Sequence, residues 1–184
     1  YGWRMNVEVI AFLLIVAGAS LLAVWLFIVR QGDAHFDFLV DKRNPFALQE
    51  VTPSKAVFAT TIPFINQGTQ DGTIMDCYPR HLMPYEYYDE CYIESRLTIE
   101  SAQRHDGYWE ANIVFAKHSD AIILTIGFTA KAGDIRQALQ TLPDMPVDIV
   151  YQIVARSDWY ITKQRLVVPA AELQAALQQT STRQ

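Results

Sequence analysis

Two hydropathy patterns divide the chain. From Val9 to Val29 the sequence reads VIAFLLIVAGASLLAVWLFIV, 21 residues without a charged side chain and without any polar face. A helix of that length, rising about 1.5 Å per residue, matches a hydrocarbon core of roughly 30 Å. From Ala56 onward the pattern shortens. Segments 56–66, 73–79, 92–100, 108–117, 121–130, 147–155 and 160–168 are rich in β-branched and aromatic residues and are separated by turn formers, which predicts a strand for each. The glycine-bearing turn after 56–66 makes 73–79 its return strand, and 147–155 with 160–168 forms a last hairpin. One stretch has helical period: Ile135, Ala138, Leu139 and Leu142 recur between Asp134, a good N-cap, and Pro143, which stops the helix. A final helix is expected after Pro169, a residue welcome in a first turn.

These elements predict a mainly β protein: an antiparallel sandwich over 56–168, preceded by one transmembrane helix within 1–30 and followed by a C-terminal helix and tail over 169–184. Residues 31–55 carry no sustained period and contain Pro45 and Pro53, so they read as a neck between anchor and sandwich. Trp3 and Trp25 suit the two membrane interfaces, and Arg4 and Arg30 bracket the span. A cleaved signal peptide would have an apolar region of about 7–15 residues, shorter than this one. Within the helix Gly18, Ala19, Ser20 and Ala23 are small, with Ala19 and Ala23 one turn apart, a spacing that lets a second helix approach closely in lipid.

The stretch ATTIPFINQGTQDGTIMDCY resembles the opening strands of immunoglobulin-like domains of the adhesion-module and late-embryogenesis type. In those a strand ends in Asn-x-Gly, turns, and returns as a second apolar strand. The resemblance spans 56–168 and implies a fold without chemistry, because such sandwiches carry unrelated functions. The helix at 134–142 departs from the plain pattern and would cap an open end between the sheets.

The net charge of −5, with Lys42-Arg43 the longest basic run, argues against a nucleic-acid partner. Basic residues on both sides of the span are too few to set its orientation. A domain carried behind an N-terminal signal-anchor, and a pair of cysteines, favour the extracytoplasmic side of a cytoplasmic (inner) membrane.

Chemistry concentrates in residues 77–92, CYPRHLMPYEYYDECY. If Cys77 ends one strand and Cys91 begins its neighbour, the two could meet at the mouth of a hairpin and form a disulfide; otherwise both are buried thiols. Cys77, His81, Met83 and Cys91 are soft or borderline metal ligands, yet a copper site wants a second histidine and a longer His–Met spacing. The tyrosines Tyr78, Tyr85, Tyr87, Tyr88 and Tyr92 are too many for one loop to bury, and such side chains suit an interface. Pro79 and Pro84 stiffen the loop.

No nucleophile elbow, phosphate loop, dinucleotide fingerprint or H-E-x-x-H motif occurs. His105-Asp106, His118-Ser119-Asp120 and the Arg156/Asp158 pair fall in turns. The expectation is a non-catalytic protein without a cofactor. It would be an accessory or scaffolding subunit whose partners are membrane lipid and other membrane-protein subunits, of respiratory or photosynthetic type among others. The alternatives are a copper-handling assembly factor and an envelope adhesion or ligand-binding module.

Overall fold

The computed structural model describes residues 2–104, 108–157 and 159–181, with side chains from residue 7 to residue 179. Helix α1 (Gly2–Arg30) is followed by β1 (Phe36–Phe38), a 3-10 turn (Val40–Lys42), β2 (Ala47–Val51), β3 (Lys55–Asn66), β4 (Gly72–His81), β5 (Cys91–Ile99), β6 (Asn112–Val114) and β7 (Ser119–Ala130). Helix α2 (Ile135–Gln140), strands β8 (Met145–Val154) and β9 (Tyr160–Val168), and helix α3 (Ala170–Ser181) complete the chain. The strands form two antiparallel sheets. One has the order β1-β3-β7-β5, with β2 also on β3; the other has the order β6-β4-β8-β9.

Strict alternation builds the core. Along β3 every second residue from Ala56 to Asn66 is buried, and β7 answers it with Ile122, Leu124, Ile126 and Phe128. The second sheet turns Ile74, Val147, Ile149, Ile153 and Val168 inward against them. A ring contact ties neighbouring strands of the first sheet on its inner face: Phe58 of β3 meets Phe128 of β7 edge-to-face at 6.0 Å. Helix α2 starts at Asp134 as its capping residue, whose carboxylate accepts from the Arg136 and Gln137 amides, and it buries Ile135, Ala138 and Leu139. Leu173 and Leu177 of α3 complete the same core.

Three expectations change. Residues 31–55 are part of the sandwich: β1 and β2 pair with β3, and Phe36, Phe38 and Phe46 are buried. Phe38 stacks on Phe64 at 5.1 Å and meets Tyr151 of the opposite sheet at 4.5 Å, so it bridges the layers. Second, β4 is not the hairpin return of β3. Strand β3 pairs with β7, and β4 crosses to the other sheet, where it pairs with β6 and β8. The crossing is set by close packing at Gly68, where a Cβ would lie 2.2 Å from the Asp33 carbonyl oxygen. Third, of the segment 108–117 only Asn112–Val114 is a strand.

Candidate functional site

Because the long strands are antiparallel, the sandwich has two ends. Helix α1, the β3–β4 turn and the β8–β9 turn lie at one, the base. The 82–90 loop, α2 and α3 lie at the other, the distal end. Twelve residues of β3 separate them, which is about 40 Å at 3.3 Å per residue.

At the distal end β4 stops at His81 and the chain folds back through Pro84, whose carbonyl accepts from the Tyr87 amide at 3.0 Å and the Tyr88 amide at 3.2 Å. This turn sends the two neighbouring tyrosines opposite ways. Tyr88 is only 7 % exposed. Its hydroxyl donates to the Ala138 carbonyl of α2 at 2.9 Å and lies 3.3 Å from Cys91 Sγ. Burial raises the pKa of both the Tyr88 hydroxyl and the Cys91 thiol. Tyr88 therefore pins the loop to the core and leaves the set of contact tyrosines.

Tyr85 and Tyr87 stay outside, 75 % and 69 % exposed. Lys131 Nζ stands 5.6 Å from the Tyr85 ring centroid and 4.9 Å from that of Tyr92. An ion pair with Asp89 fixes the ammonium there and raises its pKa, and the Lys131 amide donates to the Glu90 carbonyl at 2.9 Å. The result is a surface of two tyrosine faces held around one cation. Lys131 was not among the residues singled out from the sequence. It follows β7 directly, and only the β5–β7 pairing, Cys91 opposite Ala130 and Tyr92 opposite Thr129, carries it to the loop. Tyr78 is exposed on the outer side of the other sheet, opposite Val150, and does not join this group.

The cysteine geometry needs correction. Cys77 and Cys91 are free thiols, both buried. Cys77 lies in β4 of one sheet and Cys91 at the start of β5 in the other, so they do not flank a hairpin. Burial drives the Cys77 thiol pKa far above its usual range, with the Asp76 charge adding to it. Among the described residues no group of three His, Cys, Asp or Glu side chains converges in a way that could hold a metal ion. Met83 instead packs against the core. His81 Nδ1 is buried without a hydrogen-bond partner, and burial lowers the pKa of the ring.

His105-Asp106 and Asp158 lie outside the described residues. His118 Nδ1 is 3.1 Å from the Ala116 carbonyl, and Asp120 accepts from Ser101 rather than from a histidine.

The base is a polar junction absent from the sequence reading. Asn66, fully buried, accepts at Oδ1 from the His35 and Gly68 amides at 3.0 and 2.9 Å. Its Nδ2 donates to the Gln70 and Val114 carbonyls at 2.9 and 3.2 Å. Asp33 accepts from the amides of Arg156 and Ser157 at 3.1 Å each and from the Ser157 hydroxyl, and the Ser157 hydroxyl is the main cause of its lowered pKa. The Arg156 guanidinium donates to the Ile28 carbonyl at 2.8 Å, so it caps the end of α1. Thr69 and Gln70 donate to the Gln31 carbonyl at 2.6 and 3.1 Å. Asn-x-Gly at 66–68 was the one visible sign of this junction.

Helix α1 itself is uncovered. Its 24-residue segment Val7–Arg30 has a mean hydropathy of 2.8 over its most apolar window, none of it buried. It is long and apolar enough to cross a membrane. Gly18, Ala19 and Ala23 are exposed along it, and a Cβ at Gly18 would meet nothing within 4 Å.

The fold thus defines a two-sheet antiparallel β protein carrying an apolar N-terminal helix and a C-terminal helix. No known family and no curated protein matches the chain. Among solved structures it is similar to the yeast GGA1 GAE domain at 12 % identity, covering 73 % of this chain and 99 % of that one with a TM-score of 0.34. It is similar also to the GAE domain of GGA2p from Saccharomyces cerevisiae, at 10 % identity over 68 % and 98 % of the two chains with a TM-score of 0.33. A Northeast Structural Genomics Consortium target is similar at 14 % identity over 74 % and 86 %, TM-score 0.31.

Proposed function

We propose that the chain is a single-pass membrane protein whose α1 anchors an immunoglobulin-like sandwich, and that it serves as a non-catalytic accessory subunit of a larger membrane complex. The observation that carries this reading is the uncovered apolar helix, which needs lipid or protein along its whole length. The strand order supports the immunoglobulin-like part: β1-β3-β7-β5 against β4-β8-β9 follows the A-B-E-D and C-F-G arrangement of such domains, with β6 an added edge strand that follows β5 in the chain.

In this reading the membrane contact and the subunit contact are separate. Helix α1, with Gly18, Ala19 and Ala23 on its surface, packs in lipid and against a neighbouring helix. Tyr85 and Tyr92 around Lys131, with the exposed Tyr87 in the same loop, take a partner at the distal end, about 40 Å from the base. The partner surface at that height is the water-exposed part of the complex, on the extracytoplasmic side.

The test is isolation of the tagged full chain from native membrane in mild detergent. Tyr85→Ala combined with Tyr92→Ala should weaken the co-isolated complex by about thirtyfold or more, the effect of losing a hot-spot aromatic. The variant should remain in the membrane pellet with an unchanged melting temperature. Undiminished recovery of the complex would reject the distal surface as the docking site. Protease treatment of sealed vesicles reads the side: the sandwich should be cut only from the extracytoplasmic face.

A further inference from the structure

We infer that the base of the sandwich is itself a membrane-contact surface, seated in the interfacial layer of the bilayer beside α1; this rests on the reading of α1 as a membrane anchor. Large apolar side chains are bare at this end. Trp159, Ile161, Ile113 and Phe115 are between 58 % and 63 % exposed, and three of the four are aliphatic or phenyl side chains with no polar tip to offer water. The register gathers them. Ile113 and Val154 both stand opposite Thr73, and Ile161 stands opposite Gln152 in the next row of the same outer face. Trp159 precedes β9 at the same end, and Phe115 follows β6.

Their depth is set by hydrogen bonds to the helix. The Arg156 guanidinium reaches the Ile28 carbonyl, two residues inside the end of the apolar segment Val7–Arg30. The β8–β9 turn is therefore level with the last turn of α1, and the β3–β4 turn meets the chain at Gln31. Whatever medium surrounds the last turn of α1 also reaches Trp159 and Ile161. At a membrane boundary that medium is the headgroup layer, where an amphipathic indole is favoured. Arg30, in the last turn of α1 at the same end, complements lipid phosphates. A water-facing base would leave this apolar group without cover. The occupant assigned is lipid, and the consequence is a sandwich held upright by two contacts, α1 and the apolar base.

Site-directed fluorescence on the full chain tests this. Cys77 and Cys91 are buried in the native fold, so an environment-sensitive NBD label goes to a cysteine introduced as Ile161→Cys, Ile113→Cys or, as distal control, Tyr85→Cys. The probe is a phosphatidylcholine/phosphatidylglycerol vesicle carrying a doxyl group high on the acyl chain. The labels at 161 and 113 should lose most of their emission to the doxyl lipid, and the label at 85 should keep its own. Suppose 161 and 113 are unquenched by lipid while alkaline carbonate leaves the chain in the membrane. Then the base contact is wrong and the anchor stands. Added iodide then shows whether the base is bare or covered by another protein. Equal quenching at 85 would also overturn the upright base contact, because the sandwich would then lie flat. A chain stripped by carbonate removes the anchor reading and this inference together.

Discussion

The two ends of the sandwich solve opposite problems. The base joins the sandwich to a helix through polar groups at the surface, set around one buried hub, Asn66, whose every hydrogen-bonding position is used. The distal end keeps one aromatic inside and presents the others, with Tyr88 buried and Tyr85 and Tyr87 exposed within four residues. Polar residues at the base hold the junction together, and aromatic residues at the distal end are divided between core and surface. Residue type alone therefore misassigns both ends.

Removing the hub should have the largest effect. Asn66→Leu leaves the His35 and Gly68 amides and the Gln70 and Val114 carbonyls without their partner, at a cost of about 4 kcal/mol for several buried groups. Denaturant unfolding of the full chain in detergent should show it.

Tyr88→Ala comes next. It should cost about 3 kcal/mol for a lost core aromatic, whereas Tyr88→Phe should cost about 1 kcal/mol for the hydrogen bond alone. The alanine variant should also open Cys91 to alkylation under native conditions. In the wild type both thiols should react only on unfolding, as separate thiols in non-reducing mass mapping.

Acid should weaken the fold by a smaller amount, in two stages. Burial lowers the His81 pKa, so the folded chain resists its protonation and stability declines as pH falls below about 6.5, the unfolded value. Arg165 and then Lys163 hold the Asp148 carboxyl well below the usual carboxylate range, and Arg43 lowers Glu172. These contributions are complete above about pH 4 and are lost as pH falls through the lowered native values. Melting temperature against pH should show both stages, and His81→Phe should erase the upper one.

The smallest effect marks the contrast most sharply. Tyr85→Ala should change folding stability by less than about 0.5 kcal/mol, because an exposed loop tip contributes little to the core. An effect as large as that of Tyr88→Ala would mean that the two tyrosines are not divided between surface and core.

Much of this architecture was legible in residue spacing. Alternation along Lys55–Asn66 and Ser119–Ala130 and the Asp134 cap have local causes, and they appear where the sequence places them. What was hidden depends on distant partners. Phe36 and Phe38 alternate over only three residues, too few to distinguish a strand from a linker. The Gly-rich turn after Asn66 looks like a hairpin, but packing against residues 33–35 sends β4 to the other sheet. Tyr87 and Tyr88 are neighbours in a loop, where no period exists to tell inside from outside. Lys131 has no local mark at all, since its role comes from the register of β5 on β7.

The hydrogen bonds that tie Arg156 to Ile28 and Asp33 to residues 156 and 157 have a mechanical consequence. They tie the last turn of α1 and the residues after it to the β8–β9 turn, so in the anchored arrangement proposed above α1 and the strands would move as one lever with its fulcrum at the membrane surface. A tilt of about 10° in α1 would sweep the tyrosine surface sideways by roughly 7 Å at the end of a 40 Å arm. A neighbouring helix that leans in the bilayer could therefore move the distal surface on or off its partner, with no change inside the sandwich.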